Sequence, residues 1–391
     1  MKRKSRTAAL AACFAVVAGV LPATAAAAAP VGATSVYIVR LKPMTADKDK
    51  VTAAANTMIT KYGGKLRRVY YSVSQAFSAE LTEDQHTKYL TDAAVSTVGA
   101  NQTYTAAGTQ TDPPSWGQDR VDQPALPLDH RFTYPNTAPN VHVYVLDTGV
   151  RTSHRDFGGR AHAAFDAVEP GANRSGTDCN GHGTRVAATI GGRHFGVAKE
   201  ASIESVRTLG CDGTGTSEQI LTALDWVNLN AKRPALLNLS FAGPGGTVVD
   251  IQLYKMTQLG LAYTTAAGNG ENGKGTDACQ VTPARQTTGI TVGATDSADH
   301  RVPSSNFGSC VDLYAPGKDI RTADSRSDTA CATVSGTSIA SAEAAGVAAM
   351  YLSAHPEATP DALTTALTSA ATKDKITDPG ADSHNLLLHT A

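Results

Sequence analysis

From Val141 onward the chain alternates short apolar runs with helical stretches, and this alternation constrains its fold more than any other feature. Val141 to Leu146, Ser202 to Val206, Ala235 to Leu239, Ala262 to Ala266 and Ile290 to Val292 have the length and composition of strands. Helical stretches lie between them, notably Ser217 to Asn230 and Val249 to Leu259. Strands recurring after helical crossovers pair in parallel, which predicts a parallel sheet with helices on both faces. The stretch Ser338 to Ala354 is rich in Ala, Gly and Ser and suits a buried helix pressed closely against its neighbours.

A chain of 391 residues exceeds one ordinary core of about 150 residues, so more than one unit is expected. Val36 to about Tyr104 reads as a compact α+β module: apolar Val36 to Val39, helical Thr45 to Lys61, a Gly63-Gly64 break, then apolar Val69 to Val73 and Phe77 to Leu81. Thr82 with Gln85 has the spacing of a capping box opening a second helix. Gly108 to Pro114 turns to Gly, Thr, Asp and Pro, the composition of a linker, and a domain boundary is placed there. Ahead of the module, the basic residues Lys2 to Arg6 precede apolar Thr7 to Leu21, then Pro22 and the small residues Ala23 to Ala25. That is the layout of an export signal. Leu10 to Cys13 also resembles a lipoprotein cleavage site, which would anchor the product by lipid instead.

Hydrophobic residues at 41% and charged residues at 18% describe a globular chain. Without the four basic leader residues, 30 basic residues face 35 acidic ones, so no polycationic surface exists to grip nucleic acid. No later segment has about 20 unbroken apolar residues, so stable membrane insertion is not expected. Export would carry Cys179, Cys211, Cys279, Cys310 and Cys331 into an oxidising setting. Pairing neighbours links Cys179 to Cys211 and Cys279 to Cys310 and leaves Cys331 free; the alternative is that all five stay as buried thiols.

Three motifs carry the chemistry. Val141 to Leu146 ends in Asp147-Thr148-Gly149, placing a carboxylate at the carboxyl end of a parallel strand. Asn180-Gly181-His182-Gly183-Thr184 sets an imidazole between glycines at the start of an alanine-rich helix. Ser335-Gly336-Thr337-Ser338-Ile339-Ala340-Ser341 leads into the small-residue helix, whose amino end offers unpaired N–H groups and a positive dipole. Ser335 and Ser341 rival Ser338 as the hydroxyl. A hydroxyl nucleophile, an imidazole to take its proton and a carboxylate to orient the imidazole are what acyl transfer requires.

Through these motifs the chain resembles the subtilisin-like serine proteases, specifically the proteinase K branch, with Asp147, His182 and Ser338 in that family's Asp, His, Ser order. The resemblance implies a three-layer α/β domain with a mostly parallel sheet at 107–391, preceded by a small α+β inhibitory and chaperone propeptide at 30–106 and a signal peptide at 1–29. It implies a secreted, monomeric endopeptidase acting on polypeptides, inhibited by its own propeptide until self-cleavage near Thr105 to Gly108, and needing no cofactor for its chemistry. Ala266-Ala267-Gly268-Asn269 is similar to the segment carrying the oxyanion asparagine, which assigns Asn269 that role. Asp212-Gly213-Thr214-Gly215 and Ser240-Phe241-Ala242-Gly243 look like the family's substrate-binding strands. The cysteine spacings resemble two disulfides of heat-stable bacterial members, and Asp312 resembles a structural calcium ligand.

Departures from the family pattern raise a rival reading, a noncatalytic binding scaffold on a protease fold. Arg185 and Glu343 stand where the family has histidines, and the chain reads Ser240-Phe241-Ala242-Gly243 where it usually has Ser-Leu-Gly-Gly. Arg185 and Glu343 are expected to form a compensating ion pair. Gly270 to Asp277 looks longer than usual beside the specificity pocket.

Overall fold

The computed structural model describes residues 34–101, 108–169 and 177–390. The signal segment 1–29, Cys13 and Thr105 to Ala107 of the expected processing stretch lie outside the described residues. The described residues form two compact units, divided between 101 and 108.

In the first unit an antiparallel sheet of four strands carries α1 (Lys48–Tyr62) and α2 (Glu83–Leu90). Val51, Ala55 and Met58, spaced four and three apart on α1, close over Val39, Phe77 and Leu81 of the sheet. The Asp47 side chain caps α1, and the Thr82–Gln85 capping box is present at α2. The second strand runs Lys65–Tyr70 rather than Val69 to Val73, because its ladder to Ala76–Leu81 begins directly after the Gly64 turn.

The second unit takes in the described residues from Gly108 onward. Gly108–Thr111, expected within the linker, is a strand paired antiparallel with Arg131–Tyr134. Threonine fits a pleated surface well, so composition alone misread this stretch. After α3 (Trp116–Val121) comes a nine-stranded sheet whose centre is ordered Ile290–Thr295, Ala262–Ala266, Ala235–Leu239, His142–Asp147 and Ser202–Arg207, all parallel. The Thr372–Lys373 edge is antiparallel. Alternation along His142–Asp147 sends Val143 and Val145 into one core and Tyr144 and Leu146 into the other.

The first of these cores is covered by α4 (His182–Gly191), α7 (Thr337–Ala354) and α8 (Pro360–Ala370); the second by α5 (Ser217–Asn230) and α6 (Thr247–Gln258). The result is the three-layer α/β architecture. Small residues let α7 sit deep: a Cβ on Gly346 would lie 2.5 Å from that of Val197. Cys179–Cys211 and Cys279–Cys310 are bonded, with Cα atoms 5.1 and 5.3 Å apart. Cys331 is disulfide-bonded too, so no cysteine among the described residues is free.

Candidate active site

Asp147 ends its strand fully buried, and both its carboxylate oxygens face the His182 Nδ1, at 2.7 and 2.9 Å. His182 starts α4 behind Gly181, whose φ of +101° few other residues adopt. Gly183 lets this turn press against the Asp147 turn, since a Cβ there would lie 2.1 Å from the Gly149 carbonyl oxygen. The Asp147 charge raises the His182 pKa against the opposing effect of burial, helped by their hydrogen bond and the charge of Asp178, while Arg185 opposes.

Asp178 is a positioning residue that no sequence motif marks. One of its oxygens accepts from the Thr148 hydroxyl and the Asn180 and Gly181 N–H groups, at 2.9, 3.0 and 2.7 Å. The other accepts from the N–H and hydroxyl of Thr184, at 2.9 and 2.6 Å. Asp178 stands three residues ahead of the N-cap Gly181, outside the ordinary capping position, so its spacing gave no signal. Asp178 thus fixes the start of α4 against the Asp147-Thr148 turn.

Ser338 is the second residue of α7, so its N–H has no intrahelical acceptor. Its hydroxyl donates to the Ser240 carbonyl oxygen at 2.9 Å, not to His182. The rival hydroxyls are engaged elsewhere. Ser335 Oγ accepts from the Asp319 N–H at 2.9 Å, and buried Ser341 Oγ accepts from the Asn238 amide at 3.0 Å. Ser338, His182, Asn269 and Arg185 line one cavity of about 280 Å³. Asn269 Oδ1 accepts from the Thr337 N–H at 2.9 Å and its hydroxyl at 3.2 Å, which leaves the Asn269 amide donors unspent. Beneath them, Asn238 joins Thr264, Ser240 and Ser341 in a buried hydrogen-bond network that ties α7 to two central strands.

Gly213, Thr214 and Gly215 form a turn and loop held by Asp212, not a strand. Ser240, Phe241 and Ala242 are also unpaired, and only Gly243–Pro244 joins a ladder, with Val281–Thr282. Gly213 to Gly215 and Phe241 to Gly243 nevertheless line one groove of about 320 Å³. The Ala242 methyl lies 3.6 Å from where a Gly268 side chain would begin, so it narrows the space there.

The expected Arg185–Glu343 pair does not form. Arg185 binds Asp324 through Nε and Nη2, at 2.9 and 2.7 Å. Glu343 is fully buried with neither carboxylate oxygen hydrogen-bonded, and burial pushes its pKa up to about 8. Helix-on-helix packing turns the two side chains to different neighbours. Asp312 accepts from the Thr291 N–H at 2.8 Å, and burial pushes its pKa up to about 6. Among the described residues no cluster of three acidic, His or Cys side chains could hold a metal. A calcium ion at Asp312 would therefore lack a site built from three such side chains.

Residues 138–385 match the protein family described as Subtilase family. The chain is 41% identical over 300 residues to an extracellular serine proteinase of Thermus sp. (strain Rt41A), covering 77% of this chain and 72% of that one. It is 38% identical over 247 residues to Proteinase T of Parengyodontium album, covering 62% and 80%. Among solved structures, a cold adapted subtilisin-like serine proteinase superposes with a TM-score of 0.67 at 43% identity, over 71% of this chain and 98% of that one.

Proposed function

The chain belongs to the subtilase family, on its proteinase K branch, and is a serine-type endopeptidase; we propose that Ser338, His182 and Asp147 are its catalytic triad. The reading is carried by one observation: an imidazole bonded to a buried carboxylate shares a cavity with a hydroxyl at a helix amino end. Rotation of Ser338 about its Cα–Cβ bond releases the hydroxyl from Ser240 toward His182. Its oxygen then bonds to the substrate carbonyl carbon while its proton passes to His182 Nε2. Asp147 holds the other ring nitrogen and stabilises the imidazolium.

Negative charge developing on the carbonyl oxygen is met by the Ser338 N–H and the Asn269 amide. Collapse breaks the C–N bond, and His182 returns the proton to the leaving nitrogen. Water repeats the sequence on the acyl-enzyme. The substrate's acyl side lies along Gly213 to Gly215 and Ser240 to Gly243 as an extended strand. The protein is secreted after loss of residues 1–29; residues 30–106 act as the inhibitory propeptide, removed by self-cleavage near Thr105 to Gly108. It acts as a monomer and needs no cofactor for its chemistry, and a calcium ion at Asp312 would be structural only.

A fluorophosphonate probe tests this reading directly. The purified protein is expected to be labelled at Ser338 and to cleave peptides, and Ser338→Ala to lose both while staying folded. A folded wild-type protein that neither labels nor cleaves would favour the binding-scaffold alternative.

A further inference from the structure

The two grooves beside Ser338 differ in charge. The one assigned to the acyl half of the substrate has no charged side chain in its lining. The other holds His182 and, one helical turn further along α4, Arg185. His182 must hand its proton to the leaving nitrogen, so the segment that departs passes over this side.

Arg185 is locked there by an acid that two arginines share. Asp324, with only 1% of its side chain exposed, accepts from Arg185 Nε and Nη2 at 2.9 and 2.7 Å, and from Arg326 Nε at 2.7 Å. Burial works against charge on Asp324, but hydrogen bonds from Arg326 and Arg185 outweigh it and lower its pKa, so the carboxylate stays ionised. Two guanidiniums on one carboxylate leave one positive charge unneutralised. Arg326 is 72% exposed, and its Nη2 donates to the Cys331 carbonyl at 3.2 Å, at the start of a strand whose last residue, Val334, lines the same cavity. Nearby, Arg151 pairs with Asp328 at 2.6 Å and adds no net charge.

We propose that Arg185 and Arg326, held by Asp324, form a cationic lip that makes the enzyme prefer substrates with a carboxylate side chain in the first two positions after the scissile bond. This rests on the catalytic reading of Ser338 and His182. Guanidiniums already fixed by a buried acid lose little further freedom on meeting a carboxylate, while solvent screening keeps the preference moderate.

The test uses paired peptides built on a neutral sequence that the purified protein cleaves, with Asp or Asn at the first or second position after the bond. The Asp peptide is expected to have a kcat/KM roughly three- to fivefold higher at low ionic strength. That ratio should fall toward one in 1 M salt and in Arg326→Ala, and should survive in Arg326→Lys. Equal cleavage of the pair by the wild-type protein, or a preference indifferent to salt and to Arg326→Ala, overturns the proposal. Failure to cleave any peptide overturns the catalytic reading and this one with it.

Discussion

Two helices bring their amino ends to the site, and they are finished in opposite ways. Both α4 and α7 begin behind a glycine at positive φ, +101° at Gly181 and +148° at Gly336, with no capping side chain at that residue. At α4 the exposed donors are taken up by buried Asp178, which accepts from the Gly181 and Thr184 N–H groups. At α7 the Thr337 N–H goes to Asn269, and the next N–H, that of Ser338, is left without an intrahelical acceptor. The first end is neutralised from within and serves as a rigid mount for His182. The second keeps its positive field available, as stabilising an oxyanion requires. On the proposed mechanism, similar local geometry serves stability at one helix end and catalysis at the other.

The comparison can be broken most severely at the carboxylate behind His182. Asp147→Asn is expected to lower kcat about 10⁴-fold, as loss of the orienting acid does in such triads. In the wild type, activity should rise with pH as His182 loses its proton, with a midpoint above the ordinary histidine value because Asp147 favours the charged ring. The same variant should move that midpoint down, which a pH profile of kcat/KM reads directly. At the α7 end, Asn269→Ala is expected to cost about 10² to 10³ in kcat. Its stability cost should be only about 1–2 kcal/mol, for the two lost bonds from Thr337.

The α4 end should show the reverse pattern. Asp178→Ala, made on Ser338→Ala to prevent self-digestion, leaves several buried donors unpaired and should destabilise the fold by about 2–4 kcal/mol in denaturant titrations. If Asn269→Ala proved as destabilising as Asp178→Ala, the division of labour between the two ends would be wrong.

The smallest effect at acid pH comes from the body of α7. Glu343 keeps its proton in the folded state up to about pH 8, whereas an unfolded glutamate loses it near its ordinary value of 4.5. The folded state therefore binds more protons across that window, and stability falls as pH rises through it. Buried Lys199, lowered to about 7 by desolvation, acts the opposite way, with its contribution lost as pH falls through that value. Glu343→Gln on the Ser338→Ala background should change the melting temperature little at pH 4 and raise it clearly at pH 9. An equal change at both pH values would mean that Glu343 does not titrate in this way.

Much of the fold could be read along the chain because its signals are local. The apolar run Val141 to Leu146, the Thr82–Gln85 spacing and the small residues of α7 each report on near neighbours, and each is found in the structure as a strand, a capped helix start and a buried helix. Gly108–Thr111 escaped because its strand character depends on a partner, Arg131–Tyr134, that composition does not reveal. Asp178 escaped for a related reason: its donors include Thr148, thirty residues away along the chain.

The amino-acid sequence by itself determined the α/β alternation, the order Asp147, His182, Ser338 and the glycines that open both helices, since backbone propensity and periodicity act over a few residues. Only the tertiary structure decided that Arg185 meets Asp324, 139 positions away, rather than Glu343, and that Ser338 rests its hydroxyl on Ser240. A charge or a hydroxyl responds to distance through space, and packing sets that distance irrespective of separation along the chain.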